Sequence, residues 1–222
     1  MGFSYAPAVQ VRSGAERATL VRRTYGLVFL SVLVTMLGAA FAFTQQGVME
    51  ASLRHPFIMM LVMFAPLILA QRNARTFPKN VLFTFIEGVF IAPFLAFAEQ
   101  NAPGTVSQAA MLTFAAFGGL TLYALVSRRD FSAWGSFFAV GLIVLFVAML
   151  INMFVASVAA SLWISAVGVL VFSGLLVFDT WRIMRSNQFG QDDYVFAAVQ
   201  IYLDLLNMFL FILSLLGNRS RR

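Results

Sequence analysis

VFDTWRIMRSNQFGQDDYVFAAVQIYLDLLNMF, residues Val177 to Phe209, sets two acids, Asp179 and Asp204, into apolar surroundings on either side of a polar connector, Ser186 to Asp193. Read as two antiparallel helices joined at that connector, the stretch places both acids at comparable depths, roughly 10–16 Å in at ~1.5 Å per residue. Two carboxylates at one level of a helical hairpin can meet. Ionisable side chains inside a membrane are costly and are functional candidates by default, so fold and chemistry are read outward from this pair.

The bulk composition sets the class. Of the 222 residues 61% are hydrophobic and only 11% charged, 25 are Phe, and the mean hydropathy is +0.87, the profile of an integral membrane protein. Cysteine is absent, which excludes disulfides, thiol catalysis and thiolate metal sites. The net charge of +6 is not a nucleic-acid signal, because the basic residues fall in short clusters between apolar runs, where they orient helices and meet anionic headgroups. The lipid bilayer is the expected partner. No cleavable signal is expected at the N-terminus, since Met1 to Arg23 holds four arginines and no apolar core.

Seven apolar segments follow, at about Tyr25–Thr44, Phe57–Ala70, Asn80–Phe97, Val106–Val126, Ala133–Val155, Val158–Trp181 and Tyr194–Leu216. Most are long enough to cross a bilayer as helices. The second is short and contains Pro66, and Pro93 interrupts the third. The expected organisation is a basic N-terminal segment (1–23), one seven-helix membrane domain (24–217) and a basic tail (218–222). Eleven of the fifteen Lys and Arg residues fall in the N-terminal segment and the even-numbered connectors, which predicts a cytoplasmic N-terminus. Arg219, Arg221 and Arg222 fit that rule badly, so the last segment either crosses against it or enters and returns; its length favours crossing.

Three acids lie well inside apolar segments: Glu87, Asp179 and Asp204. All are expected in the cytoplasmic half. Gln200, Asp204 and Asn207 follow i, i+4, i+7 spacing and share one helix face, which must look into the bundle. Blander readings exist for each acid. Asp179 could pair locally with Arg182 one turn on, Asp204 could serve only as a polar contact between helices, and Glu87 could be a packing residue. Gly118, Gly119, Gly168 and Gly174 read as close-packing positions rather than a phosphate loop.

The motifs RRTYGLV, FTFIEGVFIAPF, FDTWRI and DDYVFAAVQIYLDLLNMFLFIL, taken together across nearly the whole chain, resemble the Bax inhibitor-1 family in a bacterial-type form. The resemblance implies an all-α seven-helix membrane bundle with the last helix central, and a pH-sensitive calcium leak channel. Its gating pair corresponds to Asp179 and Asp204, which are also the weak, transient metal ligands. An arginine latch corresponds to Arg72, with Gln71 and Arg75 as neighbouring alternatives. Glu87, the acid of the family's E-G motif, joins Gln200 and Asn207 on the expected ion pathway. The chain departs from the family at EGVFIAP, where many members carry a leucine-glycine-proline ending. No cofactor is implied beyond Ca²⁺ as the transported ion, and the expected location is a bacterial inner membrane.

Physics makes the pair a plausible switch. Two ionised carboxylates ~4 Å apart repel by roughly 4 kcal/mol at an effective dielectric near 20. At low pH one shared proton clamps the two helices, and at higher pH repulsion opens them. The competing classes are a non-conducting regulator bound to another membrane protein, such as a membrane protease, and an intramembrane aspartyl protease. The latter lacks the glycine-rich G-x-G-D context around Asp204. A rhomboid-type protease finds no partner for the single His55, and a retinal protein needs a buried lysine where Lys79 reads as a loop residue.

Overall fold

The computed structural model describes residues 14–45, 47, 50, 54, 77–185, 189 and 193–219. Within them the chain forms helices α1 (Gly14–Phe43), α2 (Phe77–Asn101), α3 (Thr105–Val126), α4 (Trp134–Val155), α5 (Val158–Arg185) and α6 (Tyr194–Arg219), with no strand among the described residues. All six are long and apolar enough to cross a membrane, and they correspond to six of the seven expected spans. The expected second span, Phe57–Ala70, lies outside the described residues, as do His55, Pro66, Gln71, Arg72, Arg75, most of the connector Ser186 to Asp193, and the last two arginines.

Several boundaries differ from the sequence expectation. The first helix starts at Gly14, inside the expected N-terminal segment, because Glu16–Arg23 is good helix-forming sequence with an acid in the first turn. At 30 residues it runs about 45 Å, longer than the ~30 Å hydrocarbon core, so the turns bearing Arg17, Arg22 and Arg23 stand clear of the apolar layer. Lys79, read as a loop residue, is exposed in the first turn of α2. Pro93 sits inside α2, which continues through it. The last segment is one unbroken helix of 26 residues, long enough to cross rather than turn back.

The last helix organises the bundle. Of its membrane-spanning window 83% is buried, against 11% for α4, and α6 packs against α1, α2, α3 and α5. Its core contacts include Ala197, Ala198, Ile201, Met208 and Leu213, all fully buried. The outer helix α4 packs on α5, with Phe138 seated over Gly174, where an added Cβ would come 2.0 Å from the ring. Gly168 likewise accommodates the ring of Phe211. Gly118 and Gly119 do not act this way: no described atom lies within 4 Å of where their Cβ would be.

Helices α1 and α2 meet backbone to backbone. A Cβ on Gly38 would lie 2.1 Å from the carbonyl oxygen of Phe85, and one on Gly88 would lie 2.0 Å from that of Thr35. In a bilayer, where lipid tails are as apolar as Leu, such small-residue contacts are what hold helices together. The α2–α3 turn is fixed by Glu99, whose carboxylate accepts from the backbone N–H of Gly104 (2.6 Å) and Val106 (3.2 Å). Gly104 itself has φ 83°, a conformation that glycine adopts without strain.

Candidate functional site

The hairpin of α5 and α6 brings Asp179 and Asp204 together. Their side chains lie in hydrogen-bonding contact, and the two residues are only 7% and 5% exposed. An ionised carboxylate can only accept, so a carboxyl-to-carboxyl hydrogen bond requires a proton between the two groups. Oδ2 of Asp204 is buried with no donor among the described residues. Asp179 has a second neighbour. Its Oδ1 is 3.7 Å from Nη1 of Arg182, one helical turn on, and that guanidinium lies over the ring of Phe189 at 5.1 Å. Asp179 thus has an arginine neighbour on its own helix and a carboxyl neighbour on α6.

The rim of the hairpin is braced by side chains outside the acidic pair. The hydroxyls of Tyr25 on α1 and Thr180 on α5 are 2.8 Å apart. Arg185 donates to the carbonyl of Ser127 at 2.6 Å, tying the end of α5 to the loop after α3. Phe131 fills the space beneath that loop, edge-on to Tyr123, Trp134 and Trp181.

The expected stripe on α6 is turned inward. Asn207 is buried and donates to the carbonyl of Leu203 at 2.8 Å, a bond within its own helix. The Oε1 of Gln200 is buried without a donor among the described residues. Glu87 is buried on α2, but beside Tyr202. Tyr202 and Asp204 are two positions apart, about 200° around the helix. Glu87 thus belongs to a second polar cluster, on the side of α6 away from the aspartates. There Ser31 donates to Oδ1 of Asn80 (3.1 Å), the Thr35 hydroxyl reaches the carbonyls of Ser31 (2.8 Å) and Thr84 (3.1 Å), and Thr35 and Tyr202 pair at 2.6 Å.

Sequence reasoning passed over this cluster although its signal was present. Asn80, Thr84 and Glu87 repeat the i, i+4, i+7 pattern of Gln200, Asp204 and Asn207, and Ser31, Thr35 and Gly38 repeat it again on α1. Among the described residues no three acidic or imidazole side chains converge. The aspartate pair alone offers a cation at most four oxygens, whereas a tight Ca²⁺ site needs six to eight.

The fold and these buried acids define an integral membrane protein built around an apolar last helix that carries a few buried polar side chains. The family described as Inhibitor of apoptosis-promoting Bax1 matches residues 17–221, and the chain belongs to it. It is 36% identical to a membrane protein of Vibrio cholerae over 91% of this chain and 90% of that one. It is 33% identical to the Golgi anti-apoptotic protein of Vaccinia virus over 99% and 94%, and 31% identical to mouse Protein lifeguard 4 over 96% and 91%.

Proposed function

We propose that the protein is a pH-sensitive calcium leak channel, without enzymatic activity, in which Asp179 and Asp204 share one proton when closed. The observation that supports this reading is the contact of two buried carboxyl groups on consecutive helices, one of them the central helix of the bundle. Protonated, the pair ties α5 to α6. With both groups ionised, repulsion of a few kcal/mol at close range pushes the helices apart and leaves oxygen ligands facing the gap. Binding there is weak, which suits passage more than storage. Gln200 and Asn207 extend the polar face along α6; Glu87, near Tyr202 on the other side of that helix, is left outside the ion pathway. Arg72 acts as a latch on Asp179, and its removal raises flux at acidic pH. The proposed setting is a bacterial inner membrane with the N-terminus in the cytoplasm, in keeping with the eleven basic residues assigned to that side.

The test is calcium flux into proteoliposomes carrying the purified protein. Flux should rise with pH in the wild type and lose that dependence in Asp204→Asn; unchanged flux and pH profile in the variant would remove the gating role. A second reading is a non-conducting regulator bound to another membrane protein. Flux from the purified protein alone separates the two.

A further inference from the structure

A cavity of about 360 Å³ lies between α1, α2, α3 and α6, and neither Asp179 nor Asp204 lines it. Its size falls in the range of small-molecule sites, yet its walls are almost wholly apolar. The polar atoms at its floor, the hydroxyls of Thr35 and Tyr202, are bonded to one another at 2.6 Å. Buried water needs two to four polar partners, and this lining supplies none free. The natural content is hydrocarbon.

Shape narrows the choice. Val32 and Phe43 both line the cavity, and the eleven helical steps between them span about 16 Å. That is close to half of the ~30 Å hydrocarbon core, so the cavity runs the depth of one leaflet. A cavity of that volume drawn out over that length is a narrow apolar slot, the shape of an extended alkyl chain. The cavity is also continuous with the lipid-facing surface. Met36, Phe43 and Phe114 line it and are at the same time 62%, 50% and 49% exposed on the outside of the bundle.

We propose that this cavity is a binding site for one acyl chain of a membrane lipid, drawn from the leaflet at the C-terminal end of α1. The chain enters beside Phe43 and the start of α3 and ends with its methyl group against the Thr35–Tyr202 pair. In that position it packs against four helices at once, including the face of α6 opposite Asp204.

The experiment uses the full-length protein in phosphatidylcholine vesicles doped with a phosphatidylcholine that carries a photoreactive diazirine near one chain's terminal methyl. Adducts located by mass spectrometry should concentrate on cavity residues of α1 and α3. They should fall at least fivefold in Ala110→Phe and in Ala40→Trp, whose rings fill the space from two different helices. Adducts on the lipid-facing side of α4, around Phe137, should not change, which also reports that the variants are folded. Even labelling over the whole apolar surface, insensitive to both substitutions, would overturn the proposal. So would crosslinks showing the cavity filled by the chain's own segment 57–70 or by a second copy. The wild type gives an independent readout: native mass spectrometry after detergent washing should retain one lipid mass per chain, and its loss without residue would count against a built site.

Discussion

Asp204 of the central helix touches Asp179 of the helix before it, carboxyl to carboxyl, with both residues buried in the bundle. The contact needs a proton to be attractive, and without one it is repulsive. Everything proposed for gating follows from that change of sign.

If the pair gates flux as proposed, Arg182 should bias it, because its guanidinium lies 3.7 Å from Asp179 and attracts a carboxylate more strongly than a neutral carboxyl. In Arg182→Gln the second proton should be harder to remove, and the pH at which flux rises should move to the alkaline side. After discounting for partial solvent screening the effect is about 1 kcal/mol, a little under one pH unit. Flux measured between pH 5 and 9 checks it, and an acidic shift would show that Arg182 acts otherwise.

The α1–α2 crossing should tolerate nothing larger than glycine. Gly38→Ala and Gly88→Ala each drive a methyl group into a backbone carbonyl, and because a backbone cannot rotate away the cost should reach at least the 1–3 kcal/mol typical of overpacking. A drop in thermal stability in detergent is the readout. Gly26→Ala is the control, as no described atom lies within 4 Å of its Cβ position; it should be neutral or slightly stabilising.

Tyr202→Phe separates the two polar clusters. The lost bond to Thr35 should cost about 0.5–1.5 kcal/mol, since the Thr35 hydroxyl keeps its backbone acceptors. Lying about 200° around α6 from Asp204, the substitution should leave the pH profile of flux where it was. A displaced profile would mean that the two clusters are coupled.

How much of this could be read from the chain depends on the kind of signal. Asp179 and Asp204 stood out because acids are rare in apolar runs, and their similar distances from a turn set them at comparable depths. The inward face of α6 was legible for the same reason: Gln200, Asp204 and Asn207 have few polar neighbours to blur their spacing. The second cluster was not found, because Ser, Thr and Asn are common in membrane helices and a hydroxyl can bond to its own backbone without a partner. The α1–α2 contact was also hidden. Gly38 and Gly88 look no different in sequence from Gly118 and Gly119, which touch nothing described within 4 Å; only the relative rotation of two helices tells them apart. Pro93 could be read only as a break or kink within one segment, and α2 continues through it, as neighbouring helices in a membrane allow.

The most direct measurement is infrared difference spectroscopy of the reconstituted protein through the pH range in which flux rises. A shared proton gives a protonated-carboxyl C=O band, which should be present at acidic pH, disappear over the same interval in which calcium flux appears, and be absent or displaced in both Asp179→Asn and Asp204→Asn. A band that persists unchanged while the channel opens, or that is untouched by both substitutions, would contradict the account.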